Sequence, residues 1–217
     1  MNIPQFFDTL AQVTWLNGIG LLVLSILFGM IITYSNHWLL SLLGLWGLFF
    51  CSGLLIAPFV QPHIAFLVWI VGLFSGLILY LSERGKAAPI GINTSSSNTD
   101  WIPFLLQIMI GLVFVLVCWV IQFLGLFDLL QGENAVQSYV GLITAILFLL
   151  GSLRFFTSEA SIFTGYGLLT ILIACLLVAP LLLPGKWVIG LWSGVTILLT
   201  LVISYFSLSE VKQVGYQ

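Results

Sequence analysis

Trp38-Leu-Leu-Ser-Leu-Leu-Gly-Leu-Trp-Gly-Leu-Phe-Phe-Cys-Ser-Gly-Leu-Leu-Ile-Ala57 carries no charged side chain. At about 1.5 Å per helical residue such a stretch is about 30 Å long, the thickness of a bilayer's hydrocarbon core. Lipid offers backbone amides no hydrogen-bond partner, and a helix satisfies them within the segment. The stretch reads as a transmembrane helix. Comparable uncharged runs cover residues 16–34, 38–57, 63–82, 103–125, 137–153, 161–183 and 187–206, which predicts seven crossings. The shortest uninterrupted apolar core is in the fifth, at Val140 to Leu153, and the sixth contains Pro180. Trp15, Trp38, Trp101 and Trp187 fall at the predicted ends, where an indole prefers the headgroup level.

Composition agrees with this reading. The 217 residues are 61% hydrophobic and 6% charged, with mean hydropathy +1.22, whereas soluble domains are about 45–50% apolar and about 25% charged. Five basic and seven acidic residues could not clothe a soluble fold of this length. The expected fold class is an all-α, polytopic transmembrane helical bundle, multi-pass in a plasma or inner membrane, with the lipid bilayer as its first partner. A net charge of −2 leaves no basic patch for nucleic acid. No Lys or Arg precedes the first apolar run, so the charged start of a secretory signal is missing and the first span is expected to be retained.

Residues 1–15 place Ile3, Phe6, Phe7, Leu10 and Val13 at helical spacing opposite polar residues, which predicts an amphipathic helix at the interface. Residues 84–102, rich in Ser, Asn, Gly and Pro, are expected to be a flexible cytoplasmic linker, and residues 211–217 a cytoplasmic tail. With seven crossings, Arg84, Lys86, Arg154 and Lys212 share one side, whereas Lys186 lies on the other with Asp8, Asp128 and Glu133. The positive-inside rule then puts the N-terminus outside and the C-terminus in the cytoplasm. On that side the sequon Asn93-Thr94-Ser95 would go unused.

The most specific feature is an internal duplication. Leu54-Leu55-Ile56-Ala57-Pro58 with Pro62 recurs as Leu176-Leu177-Val178-Ala179-Pro180 with Pro184. Gly72-Leu73-Phe74-Ser75-Gly76 recurs as Gly190-Leu191-Trp192-Ser193-Gly194, and Leu81-Ser82-Glu83 as Leu208-Ser209-Glu210. Two three-helix repeats follow, 16–83 and 136–210, joined by a connector helix and outer loop at 103–135. The offset of four crossings makes the copies parallel, a 3+1+3 layout. Pro58 and Pro180 are expected to end the second and sixth spans in tight turns. The Gly-x-x-Ser-Gly segments are expected to let neighbouring helix backbones approach closely. Gln107 and Gln122, fifteen positions apart on the fourth span, project to similar faces, and that face should meet protein.

Little in the spans carries chemistry. The seven acidic residues fall in loops or at helix ends, so a proton relay through this chain alone is not expected. Arg154 and Glu159 flank the turn between the fifth and sixth spans and read as a solvated interfacial ion pair. His37 and His63 stand at opposite ends of the second span, too far apart to clamp one cofactor. Cys51, Cys118 and Cys175 are isolated in apolar runs, as small buried hydrophobes. No metal ligand set, no nucleophile with its base and no phosphate-binding glycine loop is present, so neither a cofactor nor an enzyme is expected.

Two functions fit. One is a non-catalytic accessory or scaffold subunit held among other membrane subunits, in a respiratory or ion-translocating assembly. In helix count and apolar texture the triplet is similar to the small three-helix subunits of respiratory complex I and of multisubunit cation/proton antiporters, whose intramembrane glutamates it lacks. The other is a carrier for a small neutral solute, similar in topology to sugar carriers and vitamin-precursor carriers. That carrier would use Tyr166, Trp46 or Trp119 as its aromatic contacts.

Overall fold

The computed structural model describes residues 19–57, 60, 62–86, 135–158, 160–182 and 186–214. Outside them lie the amphipathic helix at 1–15, most of the linker, the fourth span with Gln107, Gln122 and Trp119, and Pro58, Pro184 and Glu159. The described residues form six helices: α1 (Ile19–Tyr34), α2 (Trp38–Ile56), α3 (Pro62–Lys86), α4 (Ala135–Thr157), α5 (Ser161–Leu182) and α6 (Lys186–Val214). Five of them, α2 to α6, are long and apolar enough to cross a bilayer, and α1 is a shorter apolar helix. All regular structure among the described residues is helical, and the five long apolar helices mark a multi-pass membrane protein.

Local chemistry accounts for the helix ends. Pro62 opens α3, where its missing N–H would have had no intrahelical acceptor. Ala57 keeps helical geometry beyond α2, donating its N–H to the Gly53 carbonyl at 3.1 Å, and Val60 donates to Ile56 at 3.2 Å. Pro180 does not end α5, which runs two residues further to Leu182. The two Ala-Pro motifs therefore differ: α2 stops before its proline, whereas α5 passes through. Proline is tolerated in membrane helices because neighbouring groups can meet the freed carbonyl. α3 continues through Arg84 to Lys86, into the stretch read as linker, and α4 extends beyond both ends of the short run read for it.

Consecutive helices pack as antiparallel hairpins, and the two triplets face each other. α1 lies against α4, α2 against α5 and α3 against α6. Thr33 meets Leu150 and Arg154, near the C-terminal ends of α1 and α4. Ser82 and Glu83 meet Ser204 and Ser207 toward the C-terminal ends of α3 and α6. Facing helices are therefore parallel, and α1, α3, α4 and α6 all finish at one end of the bundle, the Arg154 end. Lys86 and Ala135 consequently lie at opposite ends.

In α2 the positions Leu42, Leu45, Leu48, Ser52 and Leu55 are buried, while Leu39, Leu43, Trp46 and Phe50 are exposed, the 3.6-residue period of a one-sided helix. Both faces are apolar, so lipid and protein faces differ in packing and hardly at all in polarity. The tightest helix contact is between α4 and α5. A Cβ on Gly151 would stand 2.9 Å from the Gly167 carbonyl oxygen, and one on Gly167 would stand 2.8 Å from the Gly151 oxygen. Only hydrogen side chains permit that approach.

Candidate functional site

Arg154 lies in the last turn of α4, between Leu153 and the pair Phe155-Phe156, and is 4% exposed. Its guanidinium turns toward the end of α1, where the final carbonyls have no intrahelical donor. Nη1 donates to the Thr33 carbonyl at 3.0 Å and Nη2 to the Ser35 carbonyl at 2.8 Å. A cation at a helix C-terminus is also favoured by the partial negative charge gathered there. The guanidinium carbon stands 4.4 Å from the centre of the Phe163 ring, on α5, within cation–π range. Nε, buried, has no hydrogen-bond partner among the described residues.

The acceptors are themselves held. Thr33 donates its hydroxyl to Gly29 at 2.8 Å, and the same oxygen is 3.3 Å from the Leu150 carbonyl oxygen. Ser35 shapes the α1–α2 connection: its hydroxyl receives the His37 N–H at 3.1 Å, and its N–H closes on Ile31 at 2.9 Å. Ser41 directs its hydroxyl to the Ser35 carbonyl at 3.4 Å. Arg154 therefore binds a preformed carbonyl corner. The solvated pair expected for Arg154 is corrected: the side chain is buried between α1, α4 and α5. The cause is a neighbouring helix terminus that offers two acceptors, which the local sequence could not display. Its apolar neighbours Leu153, Phe155 and Phe156 were the available signal, since a solvated arginine rarely sits among them.

Next to this corner Tyr166 is fully buried and donates its hydroxyl to the Trp38 carbonyl at 3.4 Å. Trp38 in turn packs on Tyr80, with ring centroids 5.9 Å apart. Further across the same end, Ser207 donates to Glu83 Oε1 at 2.8 Å and Ser82 to the Ser204 carbonyl at 3.3 Å. Several hydrogen bonds that join helices therefore meet at this end. His37 is exposed just before α2 at this end, whereas His63 is in the first turn of α3, at the other.

The residues singled out by the duplication do not behave as a pair of equal sites. Gly72 and Gly76 are buried and are filled from within the chain, Gly72 by the Phe49 ring and Gly76 by the Trp46 indole. Ser75 is fully buried beside them, with no partner for its hydroxyl among the described residues. Ser193 is buried as well. Gly190 and Gly194, however, face open space, with nothing described within 4 Å of an added Cβ. In the first copy aromatic side chains lie over the glycines, and the second has no neighbour within 4 Å among the described residues. The backbone contact lies instead at Gly151 and Gly167, a pair the repeat reading passed over because their spacing runs across a turn.

An apolar groove of about 580 Å³ opens between α1, α2 and α3, walled by Phe28, Trp46, Phe50 and Trp69 with Gly47 among them. Trp69 directs its ring N–H to the Phe50 carbonyl at 3.0 Å, so the groove presents ring faces. Among the described residues, no three His, Cys, Asp or Glu side chains gather as a metal site. Cys51 and Cys175 are free thiols. Comparison with protein-family models, curated proteins and solved structures found no match to this chain.

Proposed function

We propose that this chain is a non-catalytic integral membrane subunit that holds a transmembrane helix of another subunit against α6 in a larger assembly. The open Gly190-Leu-Trp-Ser-Gly194 face carries this reading. Two glycines four residues apart form a shallow groove into which a second helix backbone can settle, a fit that flexible lipid chains do not reproduce. The sister segment at Gly72 and Gly76 already has its occupants in Phe49 and Trp46. Only 28% of the α6 span is buried, against 61% for α2 and for α5, so α6 has the most surface to offer.

The finer architecture belongs to the same proposal: seven crossings, arranged as two parallel triplets about a connector. Opposite placement of Lys86 and Ala135 supports an odd number of crossings between them. The pairing of α1 with α4, α2 with α5 and α3 with α6 supports the duplication. That pairing also favours a second reading, a carrier for a small neutral solute working between the two triplets. The scaffold is preferred because Tyr166, which would serve such a solute, is fully buried and hydrogen-bonded to Trp38.

Purification of the native chain in mild detergent tests the proposal. The expected result is co-purification with other membrane subunits in fixed ratio. The double variant Gly190→Leu, Gly194→Leu should lose them while keeping the unfolding temperature of the isolated chain. A solitary protein that accumulates a neutral solute in liposomes would overturn the scaffold and establish the carrier.

A further inference from the structure

Described helices enclose α5 on three sides. Tyr166 donates to the Trp38 carbonyl of α2, Gly165 abuts Ile203 of α6, and Gly167 abuts Gly151 of α4. At about 100° per residue, the fourth side carries Thr164, Leu168, Cys175 and Ala179. No described helix packs along that side, yet none of the four residues is exposed: Ala179 is buried and the others are half-buried. α2, which holds the same central place in its triplet, turns Leu39, Leu43, Trp46 and Phe50 outward as exposed side chains. α5 is therefore the floor of a trough between α4 and α6. The backbone contact of Gly151 with Gly167 sets it close to α4, whose Phe148 and Phe156 stand exposed at the trough's side. A floor of mostly small residues beside a bulky wall fits a helix, because shape decides helix association in a membrane.

The chain supplies an occupant. The described helices stop at Lys86, at the Arg154 end, and resume at Ala135, at the other, so the chain between them has a membrane to cross. Its uncharged run, 103–125, is about 34 Å long as a helix. A crossing there runs the same way as α5, which leaves the Arg154 end at Ser161. α3, where the segment departs, borders α6, and α4, where it arrives, is the other wall of the trough. By helical spacing Gln107, Gly111, Cys118 and Gln122 share one face of the run. With Gln107 set beside Thr164, each about one turn into its segment, Gly111 falls at Leu168, Cys118 at Cys175 and Gln122 at Ala179. Both series advance by the same steps, and glycine meets leucine where alanine meets glutamine. We infer that residues 103–125 seat in this trough as a helix parallel to α5, in that register. Gln107 then reaches the hydroxyls of Ser158 and Thr164, whose oxygens are 2.9 Å apart, and its amide is spared lipid. Gly190 and Gly194 lie on the α3 flank of α6, away from the trough, so the seat offered to another subunit stays open. The inference rests on the connector span of the proposed architecture and not on the scaffold role.

Oxidation of the native thiols by copper phenanthroline, on the full-length chain in its membrane, tests the seat. The expected result is a disulfide between Cys118 and Cys175 of one chain, identified by peptide mass after digestion without reductant. It should be lost in the double variant Cys118→Ala, Leu116→Cys, which carries the thiol to the other face of the run. Leu73→Cys offers a competing acceptor at about the same depth, since Leu73 is exposed on the wall of the α1–α3 groove. A link from Cys118 to Leu73→Cys, a link between two chains, or no link to Cys175 overturns the seat. Ser96→Cys and Glu133→Cys, on either side of the run, tell this failure from failure of the span itself. A membrane-impermeant maleimide should reach them from opposite faces, and reaction of both from one face removes the crossing and the seat with it.

Discussion

A guanidinium withdrawn from water among helices costs several kcal/mol unless acceptors replace the solvent. Arg154 meets that condition with two neutral carbonyls and one aromatic face, and each of those carbonyls would otherwise be a frayed helix end. Replacement by alanine takes the guanidinium donor from both carbonyls and leaves Ser35 only the long Ser41 contact, at about 1–3 kcal/mol for a fully buried carbonyl left unmet. Arg154→Ala should therefore lower the unfolding free energy by about 2–4 kcal/mol, read from chemical or thermal unfolding in detergent. Lysine carries the charge but not the planar fork, so Arg154→Lys should recover less than half of the loss in the same assay. Nothing in Leu153-Arg154-Phe155 names Thr33 or Ser35, which are about 120 positions away in the chain. The charge was legible in the sequence. Its destination was not.

Helix existence follows from apolar runs, and the six described helices lie where such runs predict them, with ends shifted by up to a few residues except at the C-terminal end of α6. Helix faces are another matter. When residues on both sides are leucine, phenylalanine and valine, periodicity in hydrophobicity fades and with it the usual guide to the buried side. Glycine becomes the informative residue, yet its meaning depends on what lies opposite. Gly167→Ala drives a methyl into the Gly151 backbone and should destabilise the α4–α5 hairpin by about 1–3 kcal/mol. Gly194→Ala meets open space and should be neutral or stabilising by up to about 1 kcal/mol, through helix propensity alone. Unfolding of the two single variants side by side checks both. The sequence offers no local mark that separates these glycines, since each stands within a long uncharged, mostly apolar run.

At the scale of the whole molecule, the parallel pairing of the triplets and the sidedness of the bundle make one prediction together. With the Arg154 end in the cytoplasm, a cysteine at Asn36→Cys should react with a membrane-impermeant maleimide only from the inner face. Gly185→Cys, between α5 and α6, should react only from the outer face. The opposite pattern in oriented vesicles would invert the molecule, and labelling of both positions from one face would refute the arrangement of crossings. What the sequence determined by itself is the solvent: twenty-residue uncharged runs have nowhere to go but lipid, and the backbone must then be helical. It also displayed the duplicated motifs from which two triplets could be read. Only the tertiary structure decided how those motifs are used. It filled one glycine pair with aromatic rings, left the other open, carried α5 past its proline and drew Arg154 into the bundle. The physical reason is that in a membrane the drive to bury apolar surface no longer distinguishes one helix face from another. Shape and hydrogen-bonding then set the packing, and both depend on residues that are far apart in the chain.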